Sequence, residues 1–350
     1  MNKKILFITT ENKFSFKSGA FIYSDNIYNS LLKNINYDIR RFSRPIKNRW
    51  SFLFFLFPYQ IIRSMSKIPM LNSYDIIVID HFRNLSPHLF FFKKKIILVN
   101  HNDEMYNYIS LLQTKNIFIK VAAFFEILKL KIYESLFKNK IHALVSINKI
   151  ENKNVSKRLN IKLSEIIYPS FKLKTNKKNT DVEIKKVIYV GSFNYLAKKR
   201  NLKKIISIFS NLSEDNFLDL FVIGSGLDEF SNQKNIFFIK NPSDISVYYS
   251  QDSIALVPEL FGGGYKIKIA EAVSNRICML AHSEAVKGTN FDSKLFTFND
   301  FKQMIILLKK VKSSFLFRNE IINNQSIMLK ENSSENSNKK ISNLISQLFI

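Results

Sequence analysis

Ser253-Ile-Ala-Leu-Val-Pro-Glu-Leu-Phe-Gly-Gly-Gly-Tyr-Lys-Ile-Lys-Ile-Ala-Glu-Ala272 is the stretch on which the fold of this chain turns. An apolar run of strand type, Ser253 to Pro258, passes through Gly262, Gly263 and Gly264 into a helix-like run from Tyr265 to Ala272. The chain has only eight glycines in 350 residues, so three in a row are informative. A strand that ends in glycines and turns straight into a helix leaves the first helical N–H groups unpaired and sterically open. Such an end carries about half a positive charge and suits a phosphate or diphosphate. The alternative is an ordinary glycine turn. Gly191 and the pair Gly224 and Gly226 also follow strand-like runs, and Gly19 lies in the loop after the first strand. Glycine is thus kept for the carboxyl ends of strands, where open α/β sheets bind ligands.

Outward from that stretch, strand and helix patterns alternate. Short apolar runs mark strands at Ile5–Thr9, Tyr37–Phe42, Tyr74–Asp80, Lys95–Asn100 and His142–Ile147, with helices near Phe21–Lys33, Ser51–Lys67 and Asn116–Lys138. Later strands are expected at Val187–Val190, Phe217–Ile223, Ile236–Ile239, Ile254–Val257, Ile277–Ala281 and Leu295–Phe298, with helices near Lys198–Asn211 and Asp300–Lys312. Repeated βα units with short buried strands predict an α/β fold of two doubly wound parallel sheets. The aperiodic, lysine-rich run Lys172–Thr180 is the expected linker. This gives a first domain over residues 1–170 and a second over 171–331. A polar hinge at Asn332–Asn338 leads to a final amphipathic helix, Lys340–Leu348, read within 332–350 as packing back on the first domain.

At 41.0 kDa with 46% hydrophobic residues, including 33 Phe, the chain supports large globular cores. The single cysteine, Cys278, excludes an intrachain disulfide framework and a cysteine zinc site; its place in an apolar run reads as core. The N-terminal apolar run is too short for a signal peptide, and no segment reaches the ~20 apolar residues of a membrane-spanning helix. Net charge is +25. That suits nucleic acid or an anionic membrane surface, and the Lys, Asn, Ile and Phe bias expected of an A/T-rich gene is a third reading of part of it. The lysines are scattered and no zinc-finger, RNA-binding or helix-turn-helix pattern occurs, which argues against nucleic acid. Phe52–Phe57, between Arg49-Trp50 and the basic stretch Arg63–Lys67, is either an interfacial segment or a buried helix.

The motifs, in their order, resemble glycosyltransferase family 4, which has the GT-B fold: two Rossmann-like domains facing across a cleft. Phe261-Gly-Gly-Gly-Tyr-Lys-Ile-Lys-Ile-Ala-Glu-Ala272 is similar to its donor-nucleotide signature, and Val190-Gly-Ser-Phe-Asn-Tyr195 to the opening of its second domain. Asn100-His-Asn-Asp-Glu104, Tyr133-Glu134 and Tyr168-Pro169 are similar to its first-domain loops. The resemblance implies a nucleoside diphosphate sugar held by Gly191, Ser192, Gly262, Gly263, Gly264 and Tyr265. Glu271 would accept the ribose hydroxyls and Lys266 would support the leaving phosphate, with Lys268 a solvated neighbour; two residues apart on a helix, the lysines cannot share a face. His101 would contact the donor sugar or orient the acceptor, and His101, Lys266 and Glu271 form the implied catalytic set. Gly19, His81, Arg83, Asp103 and Glu104 are the acceptor-side candidates.

The chain departs from the family pattern in two places. The signature's earlier glutamate is replaced by Gly263, as in the glycine-run branch of the family. Ser192 and Ala197 stand where many members carry Arg or Lys. Lys198 is the preferred substitute, and a plainly exposed basic helix start is the alternative. No Asp-x-Asp motif occurs, so neither metal nor cofactor is expected. The expected function is transfer of a sugar, with retention, to a hydroxyl of a lipid-linked glycan in surface polysaccharide assembly (O-antigen or capsule). The expected location is the cytoplasmic inner face of the plasma membrane. A non-catalytic GT-B-like binding protein is the competing expectation, and a nucleic-acid binder the third.

Overall fold

The computed structural model describes residues 3–11, 19–33, 37–47, 56–65, 71–174, 181–194, 196–212, 218–260 and 264–349. The chain divides into two compact units. Unit 1 gathers the described residues through Ser170, then Gly264 and Tyr265, then those from Asn332 onward; unit 2 holds the rest.

Unit 1 is built on a six-stranded, all-parallel sheet of β1 (Lys3–Thr9), β2 (Tyr37–Ser43), β3 (Ile76–Asp80), β4 (Lys95–Asn100), β5 (Ala143–Ser146) and β6 (Leu163–Ile166), in the order β2-β1-β3-β4-β5-β6. The central strands are covered on both faces and read as unbroken apolar runs, as parallel strands must; every residue of β3 is buried. Fully burying one such Ile or Leu contributes about 1.5–3 kcal/mol. Helices α1 (Gly19–Leu32), α2 (Tyr59–Arg63), α3 (Glu104–Leu111), α4 (Ile117–Phe137) and α5 (Lys149–Leu159) connect the strands.

Unit 2 repeats the plan with β7 (Lys186–Ser192), β8 (Asp219–Ser225), β9 (Ile236–Lys240), β10 (Ser253–Val257), β11 (Cys278–His282) and β12 (Thr297–Phe298), ordered β12-β11-β10-β7-β8-β9 and again all parallel. Its helices are α6 (Leu196–Leu212), α7 (Ile267–Ser274), α8 (Ser283–Val286), α9 (Phe301–Ser313) and α10 (Phe315–Leu329). Cys278 lies buried in β11, where burial pushes its thiol up to about 12. The last helix, α11 (Ser334–Gln347), packs on α1 and β6 in unit 1, and Lys340 Nζ donates to the Ile166 carbonyl at 2.7 Å.

Three local expectations change. Residues 334–338 are not a hinge: Ser333 caps them by accepting from the Asn336 N–H at 3.1 Å, and they form the first turns of α11. In the run from Ser51 to Lys67 the described part is helical only at Tyr59–Arg63, because Pro58 sets the helix start. Arg49, Trp50, residues 51–55 and 66–67, and most of the linker lie outside the described residues. The edge strand β6, with all four residues only half-buried, lacks the apolar run that marked the others.

Candidate functional site

In a doubly wound sheet the chain leaves room for a ligand where successive connections run to opposite sides, at the carboxyl ends of the strands flanking that point. In unit 1 this point lies between β1 and β3, in unit 2 between β7 and β10. The two points are furnished very differently.

In unit 1, β3 closes on Asp80, fully buried. Its Oδ2 accepts from Thr9 Oγ1 at 2.5 Å and Ser24 Oγ at 2.6 Å; its Oδ1 lies 2.7 Å from His101 Nε2. Burial by itself would raise this carboxyl's pKa. His101 and the two hydroxyls outweigh it and hold the group below the ordinary carboxylate value, so Asp80 is ionised. The proton between Asp80 and His101 then sits on Nε2, and Nδ1 is the basic nitrogen. Nδ1 has no hydrogen-bond partner among the described residues.

His81 follows with φ 73 and ψ 136, a strained backbone for a side-chain-bearing residue, of a kind that gathers at functional sites. Its ring stands 5.0 Å from that of His101, and its Nδ1 is 3.8 Å from Glu104 Oε1. Burial first, then Arg83 and His101, push His81 well below the usual histidine value. Arg83 reaches toward Glu11 at 4.0 Å. Burial raises the Glu104 carboxyl against the pull of Arg83. Of the acceptor-side candidates, His81, Arg83 and Glu104 thus share one cluster with His101, and Gly19 opens α1.

Asp103 does not belong with them. It caps α3 by accepting from the Met105 and Tyr106 N–H groups, and Arg158 clamps it through two bonds of 2.7 and 2.9 Å while also holding Glu134. Both its oxygens serve the fold.

Gly264 packs in unit 1. A Cβ there would sit 2.3 Å from Asn102 Oδ1 and 3.0 Å from the His101 carbonyl, at φ +75, so only glycine fits. The expected open amide is not found at this residue: the Gly264 N–H donates to Glu151 Oε1 at 2.7 Å, and Gly264 is buried. A carboxylate of this chain occupies the donor that an external anion was expected to take. Tyr265 is buried too, its hydroxyl accepting from Asn332 at 2.8 Å and its ring 5.8 Å from Tyr168. Gly262 and Gly263 lie outside the described residues.

In unit 2 the strand ends hold backbone and hydroxyls. Ser192 Oγ accepts from Ser225 Oγ at 3.0 Å, and Asn194 bridges both hydroxyls. Gly224 lies so close to β7 that a Cβ would fall 1.8 Å from the Gly191 carbonyl oxygen. Asn201 ties α6 to the end of β10 by donating to the Pro258 carbonyl at 2.9 Å.

Among these groups sits the amine of Lys268. It donates to the Val190 carbonyl at the end of β7 (2.8 Å), pairs with Glu259 just past β10, and lies 5.1 Å from the Tyr189 ring. Lys268 is therefore not a solvated neighbour, which corrects the sequence expectation. Helix α7 begins at Ile267 with Lys266 only as its N-cap, and that start turns position 268 inward. Burial lowers the Lys268 pKa, Glu259 opposes the shift, and Lys198 and Glu271 act on it from nearby. Glu271, three residues on, shares its helix face and lies close enough to influence Tyr249. Glu259 Oε2 is buried with no hydrogen-bond partner among the described residues.

Sequence reasoning missed Asp80, Glu259, Glu151 and the role of Lys268. For Asp80 one signal was present, a carboxylate closing an otherwise apolar strand.

Two parallel Rossmann-like units, each with a furnished strand-end switch point, define the GT-B architecture of glycosyltransferases. No family model and no curated protein matches the chain. Among solved structures, Anabaena HepE in complex with UDP and glucose is similar over 99% of this chain and 100% of its own, at TM-score 0.63 and 11% identity. The glycotransferase of kitacinnamycin is similar over 98% of this chain and 100% of its own, at TM-score 0.56 and 10% identity. TarM of S. aureus, as a mutant in complex with fondaparinux, alpha-GlcNAc-glycerol and UDP, is similar over 77% of this chain and 55% of its own, at TM-score 0.53 and 13% identity. At these identities the likeness is one of fold.

Proposed function

We propose that the protein is a metal-independent glycosyltransferase that moves a sugar from a nucleoside diphosphate donor, a UDP-sugar by analogy of fold, to a hydroxyl of a lipid-linked glycan. The observation that carries this reading is the placement of Lys268 and Glu271 on one face of α7 at the switch point of the second sheet. The similar folds include structures described with UDP and UDP-glucose, which supports the donor class. The family resemblance supports a place in surface polysaccharide assembly on the cytoplasmic face of the plasma membrane.

In the proposed reaction the bond from the sugar's anomeric carbon to the diphosphate breaks, and its electron pair goes to the leaving phosphate oxygen. Lys268, with Lys198 nearby and Lys266 at the helix start, would stabilise that charge, and Glu271 would accept the ribose hydroxyls. Ser192 and Gly191 would line the nucleotide's approach. The acceptor oxygen bonds to the anomeric carbon and gives up its proton. The resemblance implies retention, in which the departing phosphate oxygen takes the proton. The Asp80–His101 pair favours a second reading: Nδ1 of His101 would take it as general base, with inversion. The anomeric configuration of the product decides between the two.

The reading as a whole is tested by thermal shift against nucleoside diphosphates together with donor hydrolysis, for the native protein and for Glu271→Ala. Stabilisation by UDP that the variant loses is expected. An absence of stabilisation by any nucleoside diphosphate would instead favour a non-catalytic GT-B-like binding protein.

A further inference from the structure

Helix α4 carries apolar residues on every side, yet only one side of it is covered. Ala123, Ile127, Leu130, Tyr133 and Phe137 are buried in unit 1. On the outer side Ile117, Phe118, Phe125 and Ile132 are 63%, 83%, 56% and 65% exposed. The apolar surface continues beyond the helix. Phe57, next to the 92% exposed Leu56, has its ring 6.1 Å from Tyr133; Phe90, next to the 82% exposed Phe91, has its ring 6.3 Å from Phe137. Helix α3 packs beside α4 and adds exposed Ile109 and Leu111. A contiguous exposed patch of this kind marks an interaction surface.

The charges on the hairpin say what covers it. Residues 104–140 hold three acids and six lysines. All three acids are turned inward: Glu104 into the strand-end cluster, Glu126 onto the Tyr59 N–H and Lys129, Glu134 onto Arg158. Exposed Lys115, Lys131 and Lys138 stand on the outer side without any carboxylate of the hairpin among them. A second copy of this chain would bring the same lysines against them, at a net charge of +25 each. A surface that is apolar below and anionic at its rim matches both features, because lysines extend their amines to the headgroups while aromatic rings enter the acyl boundary. No described helix is long and apolar enough to cross a membrane, so the hairpin would lie flat on it.

We propose that the outer face of α3 and α4, with Phe57 and Phe91, is the surface by which the protein lies on an anionic lipid leaflet. It bears on the lipid-linked acceptor of the proposed reaction, but it is read by binding alone, so either can fail without the other. The test is co-sedimentation of the full chain with phosphatidylcholine vesicles, with and without phosphatidylglycerol, at two salt concentrations. The expected result is binding only to the anionic vesicles, weakened by salt. Phe118→Ser with Phe125→Ser, and separately Lys131→Glu with Lys138→Glu, should each weaken it at least tenfold while the thermal unfolding midpoint stays. Val247→Ser, a control at a 68% exposed apolar site in unit 2, should leave binding unchanged. Failure of the native chain to bind, or undiminished binding by both double variants, overturns the proposal. So does a lipid-free dimer that Phe118→Ser with Phe125→Ser dissolves, which would assign the face to a second copy.

Discussion

The two sheets share one topology and differ in what they place at the switch point. In unit 1, Asp80, His81, Arg83, His101 and Glu104 crowd a few strand ends, where burial and then neighbouring charges shift the pKa values of Asp80, His81, Arg83 and Glu104. In unit 2 the same place offers glycines, two serine hydroxyls and one buried amine with its carboxylate. A cluster of coupled acids and bases is suited to moving a proton; a stripped backbone with a buried amine and further lysines nearby is suited to gripping something large and anionic. The difference teaches that a doubly wound sheet fixes where chemistry sits, and the side chains fix which part of it each unit performs.

The sharpest way to break that comparison is to put a side chain into the bare site. Gly224→Ala would force a Cβ into the Gly191 carbonyl at φ +145. It should destabilise unit 2 by about 3 kcal/mol or more, seen as an earlier urea transition; an unmoved transition would mean that β7 and β8 do not meet as described. Removing the base comes next. His101→Ala should lower turnover by about 10²–10⁴-fold with donor affinity little changed, and a variant as active as the native enzyme ends the general-base reading.

In unit 2, Lys268→Met alone leaves the Glu259 carboxylate buried without its partner, a loss of about 3–5 kcal/mol. The double variant Lys268→Met with Glu259→Gln should recover stability but not turnover. Lys266→Ala should change turnover by less than about fivefold, since loss of one partly solvated charge near a phosphate is worth about 1 kcal/mol or less. Reversal of that order would return the phosphate role to Lys266.

Much of the fold was legible because buried parallel strands have a simple signature. Ile76–Asp80 and Lys95–Asn100 are apolar runs with turn residues at their ends, and Ile254–Val257 repeats the pattern in the second half. What escaped is amphipathic or polar throughout: β6 at the sheet edge, α5 with its run of Lys, Asn and Glu, and the start of α11. The candidate site was legible at the level of loops. Helix geometry showed that Lys266 and Lys268 face different ways; which one faces inward depends on whether the helix begins at Tyr265 or Ile267. The Gly264–Glu151 bond joins residues 113 apart, and no local pattern announces such a pairing.

A pH series sharpens the contrast from the side of unit 1. The folded His81 has a pKa well below 6.5, so as pH falls through that value the unfolded chain takes up the proton first. Its contribution to stability is whole above 6.5 and is lost below, by up to about 1.4 kcal/mol per pH unit. Glu104, raised above its ordinary 4.5, acts with the opposite sign, since its folded form keeps a proton that the unfolded form releases. The difference in unfolding free energy between the native protein and His81→Gln isolates the first effect, and it should shrink as pH drops from 7 to 5. A difference independent of pH would show that His81 titrates as in the unfolded chain.

The smallest effect is expected at Asp103. Asparagine keeps the side-chain oxygen that caps α3 and loses the charge and the Oδ2 acceptor facing Arg158, which also holds Glu134. Asp103→Asn should therefore cost about 1 kcal/mol of stability, with kcat and the acceptor KM unchanged. Stability follows because Arg158 is partly solvated and keeps its second partner. Kinetics follow because both Asp103 oxygens already face the protein, leaving no lone pair directed at a substrate. A raised acceptor KM without a stability change would restore Asp103 to the substrate side, and with it a carboxylate that the cluster at His101 does without.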